Sequence, residues 1–174
     1  RYLSLLQDFK INVLCCTPTE YRMMAKLSNL QDYNLEHLHS AVSAGEPLNR
    51  EVVEQFRKHF NLTVRDGYGQ TESTLLIGFL KDTEPRPGSM GKEIPGSGTT
   101  VVDDEGNPVE RNVKGNIALP LDFPGLFKGY YKDEERTKAS ETGDYYITGD
   151  LAHIDEDGYF WFEGRRDDII ISSG

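Results

Sequence analysis

The chain has 174 residues, a length that suits one ordinary domain or two small ones. Its hydrophobic fraction of 37%, to which 17 glycines add, is that of a globular protein and excludes disorder along the whole chain. The net charge of −10 disfavours nucleic acid as a partner, because an acidic surface repels phosphate groups, and no apolar run reaches the roughly 18 residues that a membrane span needs.

The chain opens with a predicted helix, then a strand, then a second helix. Apolar residues at helical spacing predict a helix over residues 2–9, and the apolar run at residues 11–16 predicts a short buried strand. Residues 17–20 have the pattern of a helix start, with Thr17 as the N-cap, a proline in the first turn and Glu20 completing a capping box.

Two further strands and a helix follow. Residues 38–44 and residues 62–64 are predicted to be strands, and the helix between them begins after Asn49. Apolar strands separated by helices are typical of a parallel sheet with helices on its faces. We therefore expect part of such an α/β sheet over residues 1–80, with an α/β subdomain that reaches to about residue 85.

The second part of the chain has a different texture, with glycine- and proline-punctuated short strands and little helical periodicity. Residues 151–162 predict a hairpin, and residues 131–138 are the one short helix candidate. We expect a β-rich subdomain, shaped as a distorted barrel, over residues 86–163. We expect the last segment, residues 164–174, to belong to neither of these two subdomains.

The cysteines bear on the cellular compartment of the protein, and the two ends of the sequence bear on whether it is a whole protein or a piece of one. Cys15 and Cys16 are adjacent, which makes a poor disulfide pair, so we expect a reducing, cytoplasmic setting. The sequence begins at Arg1 and ends shortly after an apolar run at residues 169–171. We therefore expect it to be an internal piece of a longer protein.

The ends of the early predicted strands carry residues suited to ligand binding. Ligands of α/β proteins bind at the carboxyl ends of parallel strands, and Gly45 follows one such strand, where a plain turn would also use a glycine. Residues 66–72 are more specific. There, two glycines flank Tyr68, whose ring could stack on a base, while Thr71 offers a hydroxyl for a phosphate and Glu72 a carboxylate suited to Mg²⁺.

Two later segments add polar groups. Residues 146–150 predict a strand that ends in a glycine turn and projects Asp150, which could accept hydrogen bonds from both hydroxyls of a ribose. In residues 164–168, Arg165 could reach a ribose or a phosphate, because its planar guanidinium matches such oxygens. Taken alone, residues 146–150 are equally consistent with an ordinary turn. Residues 164–168 alone are equally consistent with a surface charge cluster.

Taken together and in this order, the segments resemble the adenylate-forming superfamily of acyl-CoA synthetases, luciferases and peptide-synthetase adenylation domains. The resemblance covers nearly the whole chain and is greatest to AMP-forming acyl-CoA synthetases of the medium-chain type. The similar stretches are residues 44–47, 66–72, 88–92, 129–131, 146–150, 157–162 and 164–168.

The resemblance implies a role for each matched position. Tyr68 would lie against the base, Thr71 would hold the α-phosphate, and Glu72 would ligate Mg²⁺. Asp150 would bind the ribose hydroxyls, with Arg165 assisting. The other residues that it implies at the nucleotide are Gly45, Glu46, Pro47, Asp66 and Gly67.

The resemblance also implies the reaction. A carboxylic acid and ATP would give an acyl-adenylate and pyrophosphate, and CoA would then displace AMP. Asp167 would be the hinge about which a C-terminal domain rotates between the two steps. The family's phosphate loop and the lysine of its C-terminal domain have no counterpart in this sequence, so we expect this stretch to be inactive by itself.

One position predicts the size of the acid. Acetate-specific members of the family tend to carry tryptophan directly before the glutamine of the second motif, and this chain has Gly69 there. With Tyr68, Gly69 would border the acyl pocket, and the missing side chain would widen it. We therefore expect an acid longer than acetate, of medium chain length or aromatic.

Two other functions are consistent with the same residues. An adenylation domain that passes its acyl-adenylate to a carrier protein would use the same nucleotide groups. A β-rich binding module without enzymatic activity would have no affinity for nucleotides.

Overall fold

The computed structural model describes residues 1–166, and its helices are short. The longest has 11 residues, and no helix in the described range is long and apolar enough to cross a membrane. The α-helices are α1 (Tyr2–Asp8), α2 (Pro18–Ala25), α3 (Arg50–Phe60) and α4 (Glu134–Ala139). The strands are β1 (Val13–Cys16), β2 (Ser40–Ala44), β3 (Val64–Gly69), β4 (Leu75–Gly78), β5 (Gly91–Glu93), β6 (Thr100–Val102), β7 (Gly115–Pro120), β8 (Glu141–Thr142), β9 (Tyr145–Ile154) and β10 (Tyr159–Arg165).

The start of α2 confirms the predicted capping box. The Glu20 backbone N–H donates to Thr17 Oγ1, and the Glu20 carboxylate accepts from the Thr17 backbone N–H at 2.9 Å. Pro18 occupies the first turn, where its missing N–H costs no hydrogen bond. These contacts provide for backbone N–H groups that have no partner within the first turn, so the helix begins here.

The parallel part of the sheet is smaller than the sequence predicts. β1 pairs with β2 and β2 with β3 in parallel, but β4 returns antiparallel to β3. The parallel region thus ends at Gly69 rather than near residue 80. The reason is the tight turn at residues 70–74, which is too short for the crossover connection that a parallel strand requires.

All ten strands belong to one sheet, and their order confirms a mixed α/β fold. From edge to edge the order is β1-β2-β3-β4-β5-β10-β9-β7-β6, with β8 paired to β9. The second part of the chain is β-rich and antiparallel, as predicted, but its strands do not close into a barrel. Among the described residues, β1 and β6 each pair with a single neighbour, so the sheet stays open at both ends.

Strand β9 differs from the prediction for residues 146–150. It does not end in a turn at Gly149 but continues to Ile154, with Gly149 at φ +79° inside it. Between the pairs Asn116–Leu151 and Ala118–Ile147, β9 carries extra residues, which form a β-bulge. Asp150 lies in this bulge, where it pairs with Arg165 on β10 and the residues that flank the bulge pair with β7.

Two apolar clusters build the core. The first joins α1–α3 to β1–β3 and includes an edge-to-face contact between Tyr21 and Phe56, whose ring centroids are 5.2 Å apart. The second lies under the antiparallel strands and includes Leu76, Ile117 and Phe160. The two clusters divide the chain between Val64 and Leu76, and the predicted subdomain boundary near residue 85 stays a prediction.

Candidate functional site

A cleft of about 420 Å³ lies at the carboxyl ends of β2 and β3 and extends to β9 and β10. All the predicted site residues within residues 1–166 line this cleft, and the predicted hinge residue Asp167 lies outside the described residues. Segments far apart in sequence therefore meet at one cavity. The predicted residues that line it are Gly45, Glu46, Pro47, Asp66, Gly67, Tyr68, Gly69, Thr71, Glu72, Asp150 and Arg165.

Asp150 is the most buried carboxylate of the cleft and has three side-chain donors. Its Oδ2 accepts from the Tyr68 hydroxyl at 2.6 Å and from Gln70 Nε2 at 2.7 Å. Its Oδ1 accepts from Arg165 Nη1 at 3.0 Å, and the side chain is 8% exposed. An ionised carboxylate has about four acceptor sites, so these bonds leave room for a further donor such as a ribose hydroxyl.

Gln70 was not among the predicted site residues, yet it joins three parts of the cleft. Its amide donates to Asp150 and to the Thr148 carbonyl, and its Oε1 accepts from the Tyr146 hydroxyl at 3.3 Å. The signal was present, since Gln70 lies inside the motif at residues 66–72. Its partners lie about 80 residues away, so no local pattern could assign them.

Tyr68 lines the cleft but acts first as a hydrogen-bond donor. Burial and the negative charge of Asp150 raise the pKa of the Tyr68 hydroxyl, so it keeps its proton at neutral pH. The prediction that its ring lies against a base remains a prediction. The structure adds the hydrogen bond that the Tyr68 hydroxyl donates to Asp150.

The turn after β2 supplies the opposite wall. Gly45 has φ +98°, a backbone conformation that favours glycine, and open space surrounds the position of its missing Cβ. The Glu46 carboxylate accepts from Thr19 Oγ1 at 2.9 Å and pairs with Arg22 at 2.8 Å. Glu46 therefore ties this wall to α2, a contact that the sequence did not predict.

Asp66 lies in the middle of β3, next to that wall. Its Oδ1 accepts from the Gly67 N–H at 3.0 Å and its Oδ2 from the Leu48 N–H at 3.3 Å. Burial raises the pKa of the carboxyl to about 6, and these backbone donors offset only part of the desolvation. Asp66 thus fixes the turn at residues 45–48 against β3.

Glu72 and Thr71 lie at the outer end of the cleft. Thr71 is exposed, whereas Glu72 is half-buried and its Oε1 accepts from the Tyr130 hydroxyl at 2.9 Å. The ring of Tyr130 lies under the Arg136 guanidinium, and both residues line the cleft. The prediction missed both: Tyr130 lies in a matched stretch, residues 129–131, but nothing in the sequence pointed to Arg136.

Gly69 has a structural reason to lack a side chain. A Cβ at this position would lie 2.3 Å from the Thr74 carbonyl oxygen, so the turn between β3 and β4 could not keep its shape. A bulky residue here would require a different turn. The glycine therefore serves the turn as well as any space in an acyl pocket.

The donor set around Glu72 suits a metal that is shared with a ligand. Within residues 1–166, no group of three or more His, Cys, Asp or Glu could hold a metal ion alone. Mg²⁺ is commonly bound by one or two carboxylates together with substrate phosphates and water. Glu72 Oε2 has no hydrogen-bond partner among the described residues, and it lines the cleft beside Thr71. These residues fit a Mg²⁺ ion that is also held by phosphates.

Comparisons with known proteins identify the family of the chain. The profile of a family described as AMP-binding enzyme matches residues 1–131. The acyl-CoA ligase YtcI of Bacillus subtilis (strain 168), itself labelled uncharacterized, is 60% identical over all of this chain and 33% of its own length. Mitochondrial acyl-coenzyme A synthetase ACSM3 of Mus musculus is 44% identical over 99% of this chain and 30% of its own length. The chain thus spans about a third of these relatives.

Solved structures give the same result at the level of the fold. The anthranilate CoA ligase AuaEII, crystallised with anthranoyl-AMP, matches 98% of this chain and 32% of its own, with a TM-score of 0.88 and 30% identity. ATP-bound MatB from Rhodopseudomonas palustris matches 98% of this chain and 33% of its own, with a TM-score of 0.86 and 30% identity. The chain belongs to the AMP-binding enzyme family.

Proposed function

We propose that the full-length protein is an AMP-forming acyl-CoA synthetase and that this chain supplies its adenine, ribose and metal contacts. The observation that carries the proposal is the single cleft in which Thr71 and Glu72 meet Asp150 and Arg165. Acidic and hydroxyl groups at one end suit phosphates with Mg²⁺, and the buried carboxylate at the other end suits a ribose. The relatives named as acyl-CoA ligases support the same assignment.

In the first half-reaction, an oxygen of the substrate carboxylate would attack the α-phosphorus of ATP and pyrophosphate would leave. Bound Mg²⁺ would neutralise charge on the phosphates. Thr71 would donate to an α-phosphate oxygen, Glu72 would hold the metal, and Asp150 would fix the ribose, so that the reacting groups stay aligned. The phosphate loop and the C-terminal lysine would be contributed by other parts of the protein.

In the second half-reaction, the CoA thiol would attack the acyl carbonyl carbon, and AMP would leave with the electrons of the broken mixed-anhydride bond. Asp167 would mark the hinge between the two steps. The names of the relatives favour CoA over a carrier protein as the acceptor. We expect a cytoplasmic location from the cysteine usage, and that stays a prediction.

The acid would be larger than acetate. Gly69 contributes no side chain to the cleft, and AuaEII, which binds the aromatic anthranoyl-AMP, shares the fold at 30% identity. A preference of the full-length enzyme for acetate over octanoate and benzoate, measured as kcat/KM, would contradict this choice.

Glu72→Gln in the full-length protein tests the metal role. The substitution keeps the size of the side chain and removes its charge, so acid-dependent exchange of pyrophosphate into ATP should fall by about a hundredfold at limiting Mg²⁺. Glu110→Gln is the matched control, because Glu110 is exposed and does not line this cleft. Exchange that stays unchanged in Glu72→Gln would refute the assignment.

A further inference from the structure

Glu72 is held by a second segment of the chain that no motif assigned to the site. The Glu72 backbone carbonyl accepts from the Phe127 N–H at 2.7 Å, and the carboxylate Oε1 accepts from the Tyr130 hydroxyl at 2.9 Å. Both anchors come from the loop that precedes α4. The position and the direction of the carboxylate therefore depend on this loop.

Tyr130 is itself fixed on three sides. Its ring contacts that of Phe127 edge to face, with centroids 4.9 Å apart, and the Arg136 guanidinium carbon lies 3.9 Å above the ring centroid. Its backbone N–H donates to Thr137 Oγ1 at 2.9 Å. A tyrosine packed in this way keeps one side-chain orientation, so its hydroxyl stays at a fixed point beside Glu72.

The hydrogen bond assigns different tasks to the two carboxylate oxygens. The Tyr130 hydroxyl is the donor in this bond, because an ionised carboxylate can only accept. Oε1 is occupied by this donor, whereas Oε2 has no hydrogen-bond partner among the described residues. Glu72 lines the cleft, and this bond leaves Oε2 available to a ligand there, as in a metal ligand ordered by its outer partners.

We propose that Tyr130, clamped between Phe127 and Arg136, is a positioning residue that orients Glu72 toward the metal of a Mg²⁺–nucleotide complex. This inference rests on the proposed function, because it assumes that Glu72 meets Mg²⁺. Tyr130 lies outside the strand-end motifs, and the short helix α4 contributes to the site through Arg136. Arg136 stabilises the ring from above, and within residues 1–166 it forms no hydrogen bond or ion pair with Glu72.

The test measures binding, by calorimetry on the full-length protein with α,β-methylene-ATP, in saturating Mg²⁺ and in EDTA. Tyr130→Phe keeps the ring and its packing and removes only the hydroxyl. We expect binding in Mg²⁺ to weaken by about three- to tenfold and binding in EDTA to stay unchanged. Tyr131→Phe is the matched control, because Tyr131 is 88% exposed. It should change neither value, and thermal unfolding should be nearly the same for all three proteins.

A double-mutant cycle gives the decisive comparison. In a Glu72→Gln background, Tyr130→Phe should have no further effect on binding in Mg²⁺, because its only target is the carboxylate. An equal loss in Mg²⁺ and EDTA, no loss in either, or a loss that persists in the Glu72→Gln background would overturn the proposal. A wild-type protein whose binding does not depend on Mg²⁺ would instead refute the proposed function itself.

Discussion

Asp150 obtains its place in the cleft from residues spread over most of the chain. Tyr68 and Gln70 approach it from the end of β3, and Arg165 lies opposite it on β10. Each donor limits the directions in which the carboxylate can turn. A ribose would therefore meet a group whose orientation is already set, which lowers the entropic cost of binding.

Asp66 presents the opposite situation, since it is a carboxyl whose charge is costly. Burial raises its pKa to about 6, above its ordinary value near 3.8. In the folded protein the carboxyl therefore ionises less readily than in the unfolded chain. Its contribution to stability is fully present below the unfolded pKa and is lost as the pH rises through about 6.

Asp66→Asn should therefore change the pH dependence of stability. The variant cannot ionise at this position, so its melting temperature relative to wild type should rise between pH 4.5 and pH 8, with most of the change below pH 6, the folded pKa. Thermal unfolding of the full-length protein at several pH values measures this difference. A difference that stays constant across the range would show that Asp66 has an ordinary pKa.

At the scale of elements, β9 determines the geometry of the site more than any loop does. Its bulge places Gly149 at φ +79° and turns Asp150 toward β3, while Thr148 Oγ1 donates to the Ile117 carbonyl on β7. Because β9 pairs with β7 and β10, the bulge is held from both sides. A functional carboxylate on such a strand is more rigid than one on a free turn.

Gly149→Ala tests the bulge. An alanine at φ +79° costs about 1–2 kcal/mol, and relief of that strain would rotate Asp150 away from Tyr68 and Gln70. We expect lower stability together with weaker binding of AMP, measured by calorimetry on the full-length protein.

The control for this variant is Gly158→Ala. Gly158 lies in the turn between β9 and β10 at φ +84°, with open space around it, so the same strain arises away from the cleft. It should lower stability to a similar extent and leave AMP binding unchanged. Equal losses of AMP affinity in both variants would mean that the bulge has no specific role.

The elements that the sequence predicts well are those that depend on local chemistry. The capping box of α2 needs only Thr17, Pro18 and Glu20, and the structure has it as predicted. The path of β9 could not be predicted in the same way, because a glycine ends a strand in one context and forms a bulge in another. The difference is decided by pairing with β7, which lies some 30 residues earlier.

The candidate site was likewise predictable from the sequence only in part. The resemblance pointed to Glu72 and Asp150, and the structure places both on one cleft. The partners that orient them, Gln70 and Tyr130, come from contacts 80 and 58 residues apart in sequence. A sequence pattern can indicate which residue carries a charge, but the neighbours that hold it follow from sheet order.

At the scale of the whole molecule, the cleft lies where the two apolar clusters meet. Residues 45–48 belong to the helix-flanked part and Tyr146 to the antiparallel part, yet both line the same cavity. Clefts between two packed units are common ligand sites, because neither unit alone must give up its core to form them. A single continuous sheet joins the two clusters and fixes the position of one cleft wall relative to the other.

The central claim is that the full-length protein activates a carboxylic acid through an acyl-adenylate. The most direct measurement incubates it with ATP, CoA, Mg²⁺ and an acid whose carboxylate carries ¹⁸O, and follows the products by mass spectrometry. Attack of the carboxylate on the α-phosphorus should give acyl-CoA together with AMP that holds one ¹⁸O atom, while pyrophosphate stays unlabelled. Formation of ADP with label in inorganic phosphate, or no acyl-CoA from any acid tested, would contradict the claim.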